Sequence, residues 1–475
     1  MGINKSDRID DRQSRLTKKV VCFSNDIWSS ALCEVRLKAP LEAAGFQVIQ
    51  GNDYQKPLVE DLAGVDYVVL QRDFPRYIDL FFHILEETKK YKIPLIYEID
   101  DLLFNLPENH PLEQTGCYSS RLMPMLTAIC KADLITASTE PLANFLRSFN
   151  SNVQVLSNYL IDNYWNFFPI KEIKKQEDHV VIGYIGGHTH APDITMIMTA
   201  LMEIGQQFGQ KVSFKFWGLE PPEVLSGHFK VEWQPPVASY QEYAATFGSQ
   251  DIDIFIAPLE DNLFTQSKSN LKFLEYSTLG VPGVYSKVKP FEEVIKHGEN
   301  GFLASSDQEW IECLRTLISY PDVRNQIAQK AQQTVRKDFL LSDHAGKWSK
   351  TYNKIRIKSS KSKFLNNDIL MAQDGLLQKI YSSQIAQSDR LQTQIEEKEI
   401  LQIELEKQEM LQIELEKQEM LQIELEKQEI LQIELEKKEQ ILQSVLNSKS
   451  WTLTKPLRFI ARKIQKTKKE LSKDD

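Results

Sequence analysis

Short apolar runs alternate with amphipathic stretches through the first third of the chain. Val20–Phe23, Phe46–Ile49, Asp66–Leu70, Pro94–Ile99, Asp133–Ala137 and Val153–Leu156 read as strands. Most of these runs lack a polar face, which suits strands covered by helices on both sides of a parallel sheet. Ser29–Ala44, stopped by Gly45, and Pro75–Tyr91 carry the helical period between them. The same alternation resumes after a connection at Asn158–Ile173. Val180–Gly187, Val212–Trp217, Phe229–Trp233 and Asp251–Ala257 are the next predicted strands, and Pro192 opens a helix whose Met196, Met198 and Met202 serve as core filler. The predicted fold class is therefore α/β, with two Rossmann-like doubly wound domains at 18–160 and 174–349 and a lead-in at 1–17.

One stretch concentrates candidate chemistry. Gln266–Ser286 follows the Asp251–Pro258 strand as loop, helix and strand, with Ser267 or Ser269 as helix cap, Leu271 and Leu274 as its buried face and Gly280 as its stop. Such a loop and helix start lie at the carboxyl edge of a sheet, where open α/β sheets take ligands. Lys268 and Lys272 are one turn apart and, with free backbone N–H groups, suit a phosphate. Glu275 suits the two hydroxyls of a ribose. The same residues also fit a surface helix with ordinary Lys/Glu pairs. Gly186 and Gly187 end a strand and let backbone approach a phosphate or sugar, beside His188 and Ser269 as further donor-site candidates. Asp100 and Asp101 end a strand at the ligand edge before a long loop, Leu102–Gly116, and join Lys268 as catalytic candidates. Arg36 is a candidate for an acceptor or a phosphate, or for a structural salt bridge. His188, His190 and Asp193 lack the spacing of a metal site, and the Asp251-Ile-Asp253 acids precede a buried strand, a structural position.

Glu275 followed by Tyr-Ser-Thr-Leu-Gly-Val-Pro282 resembles the Glu-Ala-x-Ala-x-Gly-x-Pro motif of family 4 (group 1) glycosyltransferases. His297-Gly-Glu-Asn-Gly-Phe-Leu303, then Glu309-Trp310, is similar to that family's His-Gly-x-Asn-Gly-x-Leu and the helix after it. The resemblance spans roughly residues 18–350. It implies the GT-B architecture, in which two Rossmann-like domains face a cleft. It also implies a nucleotide-diphosphate sugar as donor, no cofactor, and transfer to an acceptor hydroxyl with retention, the leaving phosphate taking the acceptor proton. Asp100 stands where the family's donor-contacting histidine stands, and Ser267 where its earlier glutamate stands. Asn158 resembles the linker asparagine.

Composition narrows the setting. A net charge of −9 over 475 residues argues against coating nucleic acid. Five scattered cysteines, with no CxxC pair, fit a reducing cytoplasm rather than a disulfide frame or zinc site. No run approaches a membrane span, so the expected location is cytoplasmic, with at most peripheral attachment at the inner face of the membrane.

The last quarter differs in kind. After a basic, Ser-rich linker at 350–369, Leu401-Gln-Ile-Glu-Leu-Glu-Lys-Gln-Glu-Met410 recurs every ten residues. Leu, Glu, Lys and Gln favour helix, so 370–446 reads as a long helix or coiled coil for self-association, roughly 110 Å if continuous. A solvated single helix fits the same repeat. In the tail, 447–475, eight Lys or Arg and no acid fall between Lys449 and Lys469, interleaved with Trp451, Leu457, Phe459, Ile460 and Ile464. That makeup suits an interfacial helix on anionic lipid at 449–469, or packing on the coil. The leading reading is a glycosyltransferase of glycan or polysaccharide biosynthesis with a glycan or lipid-linked acceptor. The alternatives are a non-catalytic sugar-nucleotide-binding scaffold and an epimerase on the same fold.

Overall fold

The computed structural model describes residues 17–170, 179–357, 417–445 and 455–471, with isolated positions between 398 and 412. Most of the lead-in and linker and the early repeats expected above lie outside the described residues. The chain forms two compact units, Met1–Ser388 and Asp389–Asp475.

The first unit holds two six-stranded sheets. The N-terminal sheet is built from β1 (Lys19–Phe23), β2 (Gln47–Gln50), β5 (Tyr67–Gln71), β6 (Leu95–Ile99), β7 (Leu134–Ala137) and β8 (Val153–Val155), with a small hairpin of β3 (Asn52–Asp53) and β4 (Lys56–Pro57) beside it. The order is β2-β1-β5-β6-β7-β8, with every neighbour parallel. The C-terminal sheet comprises β9 (Val180–Gly186), β10 (Val212–Gly218), β11 (Val231–Gln234), β12 (Ile254–Ala257), β13 (Gly283–Ser286) and β14 (Phe302–Ala304). Its order, β11-β10-β9-β12-β13-β14, reverses between β9 and β12, which opens a crevice at their carboxyl ends. β5, β6, β7, β12 and β13 are buried at every position, the pattern expected of strands covered on both faces.

The helix read at Ser29–Ala44 is helical over Ala31–Ala43, but its middle, Glu34–Lys38, is a π turn. Pro40 has no N–H to give to the carbonyl one turn back, so the ladder widens just before it. Helix Leu122–Lys131 escaped the sequence reading because Pro124 looks like a breaker. It stands in the first turn, where a missing N–H costs nothing. Leu102–Gly116 is not an open loop. It contains a 3-10 turn at Leu103–Asn105 and helix Pro111–Gln114, and it buries Leu102, Leu103 and Phe104.

The two sheets are tied together at several points. Trp165, in the connection, packs edge-on against Tyr240, Tyr243 and Phe247. Helix Pro321–Asp338 ends the second domain, and Leu160 then exchanges backbone hydrogen bonds with Phe339 and Leu341. The final helix, Gly346–Tyr352, places Tyr352 against Phe46 and Tyr67 of the first domain. The first three residues of the expected linker therefore belong to this helix.

In the second unit, 417–445 is helical, and its Leu421, Leu425, Leu431 and Leu435 remain exposed. Helix Lys455–Leu471 lies alongside it, with Lys468 paired to Glu439. Among the described residues no helix is long and apolar enough to cross a membrane.

Candidate active site

A cavity of about 370 Å³ opens between the sheets of the first unit, at the crevice between β9 and β12. Gly186, Gly187, Lys268, Ser269, Lys272, Glu275, Asp100 and Asp101 all line it. Size and placement suit a small ligand.

The C-terminal wall is built on helix Leu271–Thr278. Its start differs from the predicted one. Asn262 forms a capping box with Thr265 on a separate short helix, Leu263–Gln266, while Ser267 Oγ donates to Leu263 O and Ser269 Oγ accepts from Asn158 Nδ2 at 2.8 Å. Neither serine caps helix Leu271–Thr278, which begins after Asn270 with no side-chain cap. Its first-turn N–H groups thus have no side-chain partner beside the cavity. Lys268 lies in the turn between the two helices rather than on the helix of Lys272. The shared-face argument fails, and the turn brings both lysines to the cavity instead.

Lys272 Nζ lies 3.0 Å from the Tyr184 hydroxyl and 4.4 Å from the centre of that ring. Its contact is a phenol rather than a carboxylate. Burial lowers its pKa to about 8; Asp193 works in the opposite sense and Lys268 adds to the lowering. A Cβ at Gly186 would meet Lys272 Nζ at 2.8 Å, so glycine there leaves the ammonium its place. Glu275 is 6 % exposed, and each of its oxygens accepts one phenol: Oε1 from Tyr240 at 2.9 Å and Oε2 from Tyr243 at 3.2 Å. Burial raises its pKa to about 7 against the lowering effect of those two hydrogen bonds.

The N-terminal wall is different. Asp100 and Asp101 follow β6, and Arg72 follows β5 with φ of 47°, a left-handed backbone unusual for a non-glycine. Arg72 lies 3.5 Å from Asp100 and 3.9 Å from Asp101. Lys268 reaches across the cavity to Asp101 at 3.6 Å and lies over the Phe264 ring. Burial raises the pKa of Asp100, with Asp101 adding to the rise and Arg72 opposing it. For Asp101, Lys268 and Arg72 together outweigh burial and hold the acid below its usual range.

Two candidates lie elsewhere. Arg36 does not face the cavity. It is 3 % exposed and donates to Glu98 at 2.6 Å, to Leu156 O at 2.6 Å and to Asn158 Oδ1 at 2.7 Å. Of its alternatives the structure has the salt bridge, because the π turn carrying Arg36 lies against β6. Through Asn158 the pair reaches Ser269, so it braces the lysine turn from behind. His188 is exposed and outside the cavity lining. His190 lines the cavity instead. Burial, then Lys272 and Lys268, hold it neutral, and it bonds Asp193 at 2.7 Å, whose other oxygen accepts the Glu260 N–H. Asp253 accepts the Val181 N–H at 2.8 Å.

Sequence reasoning missed Arg72, Tyr240 and Tyr243. Arg72 had one available signal, its place just past a predicted strand beside the first sheet's crevice. The tyrosines are spaced i, i+3 just after Ser239, which caps helix Tyr240–Phe247, a local pattern with nothing to link it to Glu275.

Residues 199–349 match the family model described as Glycosyl transferase-like. No curated protein matches the chain. Among solved structures, HepE of Anabaena in complex with UDP and glucose is similar at 15 % identity, with a TM-score of 0.51, covering 71 % of this chain and 100 % of that one. The same protein in complex with UDP-glucose gives 14 % identity and a TM-score of 0.50, covering 70 % and 99 %. At this identity the likeness is one of fold, and the two facing Rossmann-like domains are of the GT-B type.

Proposed function

We propose that this chain, whose residues 199–349 form a glycosyl transferase-like domain, is a glycosyltransferase of the family 4 kind. It would move a sugar from a nucleotide-diphosphate sugar to an acceptor hydroxyl with retention of configuration, in glycan or polysaccharide biosynthesis. The observation that carries this reading is the pair formed by Lys272 and Glu275 at the β9–β12 crevice. An ammonium whose contact is a phenol and a buried carboxylate both line one cavity, and burial weakens the charged form of each. A diphosphate beside Lys272 and the open helix start, with a pentose beside Glu275, would use both. HepE, similar in fold, binds UDP and UDP-glucose, which supports a nucleotide sugar as donor here.

Chemistry at the sugar C1 needs the charge of the leaving diphosphate stabilised and the acceptor aimed at the opening carbon. Lys272, Lys268 and the helix N–H groups would take the charge. Lys268 becomes available when the diphosphate displaces Asp101 from it, and Asp101 is then free to orient an acceptor hydroxyl beside Asp100. The departing phosphate oxygen, held by the lysines, receives the acceptor proton. No metal or cofactor enters this scheme.

Donor turnover by the full-length protein tests it. Lys272→Ala and Glu275→Ala, with unchanged circular dichroism, should each lower turnover about a hundredfold or more. Full activity in both would remove the site assignment. We propose that the protein is cytoplasmic, self-associates through the repeat helix and rests on anionic membrane through the tail; exposed apolar residues of the second unit support the last two. Phe459 is 75 % and Ile460 56 % exposed among cations, and Leu421, Leu425, Leu431 and Leu435 of the described repeats are open. Loss of flotation with anionic liposomes on deleting residues 448–475 is the expected result, and unchanged flotation would refute it.

A further inference from the structure

The second unit leaves an apolar groove open. Helix Lys455–Leu471 lies beside the repeat helix, and a space of about 760 Å³ follows their junction. Leu435 and Leu442 line it from the repeat, and Ile460 and Ile464 line it from the tail. Leu435 and Ile460 are each 56 % exposed and Ile464 is 47 %, so two helices alone do not cover these side chains. Leucine spacing changes at the same place. Leu421, Leu425, Leu431 and Leu435 step by four, six and four, which carries the stripe round a straight helix. From Leu431 onward, Leu435, Lys438, Leu442 and Val445 step by four and three, the seam of a helical bundle. Ile460, Ile464 and Thr467 keep that step in the tail, between Leu457 and Leu471 in sequence. The polar seam positions, Lys438 and Thr467, line the same groove.

We propose that this groove is filled by the helix pair of a second copy of the chain, closing a four-helix bundle. This rests on the self-association reading above and deepens it, because the tail becomes half of the interface. Charge points to a second copy as the occupant. Residues 417–445 carry seven acids and four lysines, whereas 455–471 carry seven cations and one acid. Within one copy the two signs already meet at Lys468 and Glu439. A two-fold axis sets the acidic helix of each copy against the basic helix of the other, so the surface is its own complement. An anionic bilayer in the groove would meet the acids of the repeat as well as the cations of the tail. Phe459, Arg462 and Lys466, spaced i, i+3 and i+7, form a neighbouring face, and that face is left to the lipid.

Sedimentation velocity on the full-length protein over a concentration series tests this, beside circular dichroism and flotation with phosphatidylglycerol vesicles. The wild type should be a dimer. Ile464→Glu should raise the dimer dissociation constant at least about a hundredfold, since the closed seam would then bury an unpaired charge from each copy. Leu442→Glu serves as the second variant and should do the same from the other helix. Arg462→Gln, off the seam, should stay within about threefold of the wild type. Removing residues 448–475 should give a monomer. A dimer that survives removal of the tail overturns the inference and leaves self-association through the repeat standing. Dimers of unchanged strength in both glutamate variants also overturn it, and loss of flotation in those variants would assign the groove to lipid. A wild type that stays monomeric at every concentration overturns both this inference and the self-association reading.

Discussion

The two walls of the cleft handle charge in opposite ways. On the N-terminal side the cations are matched to acids within their own domain: Arg36 with Glu98, Arg72 with Asp100 and Asp101, and Arg121 and Arg76 with Asp73. On the C-terminal side, Lys272 and Glu275 lie three residues apart on one helix, yet each contacts phenols instead of the other. Burial penalises a charge that lacks a counter-charge, and so Lys272 is pushed down and Glu275 up. The first wall commits its arginines to ion pairs within the fold. The second leaves Lys272 and Glu275 without a salt bridge at the cavity, where the proposed ligand would meet them.

If that contrast holds, removing a charge should damage the fold on one side and relieve it on the other. The largest effect is expected at Arg36. Arg36→Met leaves Glu98 buried without its cation, a change that costs about 3–5 kcal/mol, read as a lower urea midpoint with an unchanged slope. A variant as stable as the parent would show that the N-terminal ions are not structural. Glu275 should give the opposite sign. Its pKa rises on folding from 4.5 to about 7, so between those values the folded state holds a proton that the unfolded chain has released. Stability therefore declines as pH rises through that window, and above it the charged acid costs up to about 3 kcal/mol. Glu275→Gln should stabilise the ligand-free protein at about pH 8, on the order of 1–3 kcal/mol, and much less near its ordinary pKa. Thermal denaturation at both pH values measures this, and destabilisation at the higher one would break the comparison. The smallest effect sharpens it. A diphosphate beside Lys272 supplies the missing counter-charge and restores its pKa, so binding near pH 8 should take up a fraction of a proton. Calorimetry in buffers of different ionisation heat reads that uptake, and identical heats would mean the ligand lies elsewhere.

Much of the second wall was legible beforehand because it is written in short range. Lys272, Glu275, Gly280 and Pro282 lie within one helix and its stop, and Gly186 ends a strand that periodicity alone marks. What lay beyond reach joins distant positions. Lys268 meets Asp101 across the cleft, Tyr240 and Tyr243 meet Glu275 from another helix, and Trp165 meets Tyr240 from the connection. The capping error at Ser267 and Ser269 has the same origin. A serine beside a helical pattern is a good local cap, but here Ser269 is taken by Asn158 and Asn262 starts a separate helix upstream. Arg36 was open between two roles until Pro40 and the π turn it provokes were seen to bury it against Glu98.

By itself the sequence determined the two α/β domains, the crevice that holds the ligand candidates, the helix seen at 417–445 and the cationic character of the tail. Those follow from periodicity, glycine and proline placement and local charge, which act over one or two turns of chain. Only the tertiary structure decided which charges are paired and which are left open, because the energy of an ion depends on what burial and folding bring within a few ångströms of it.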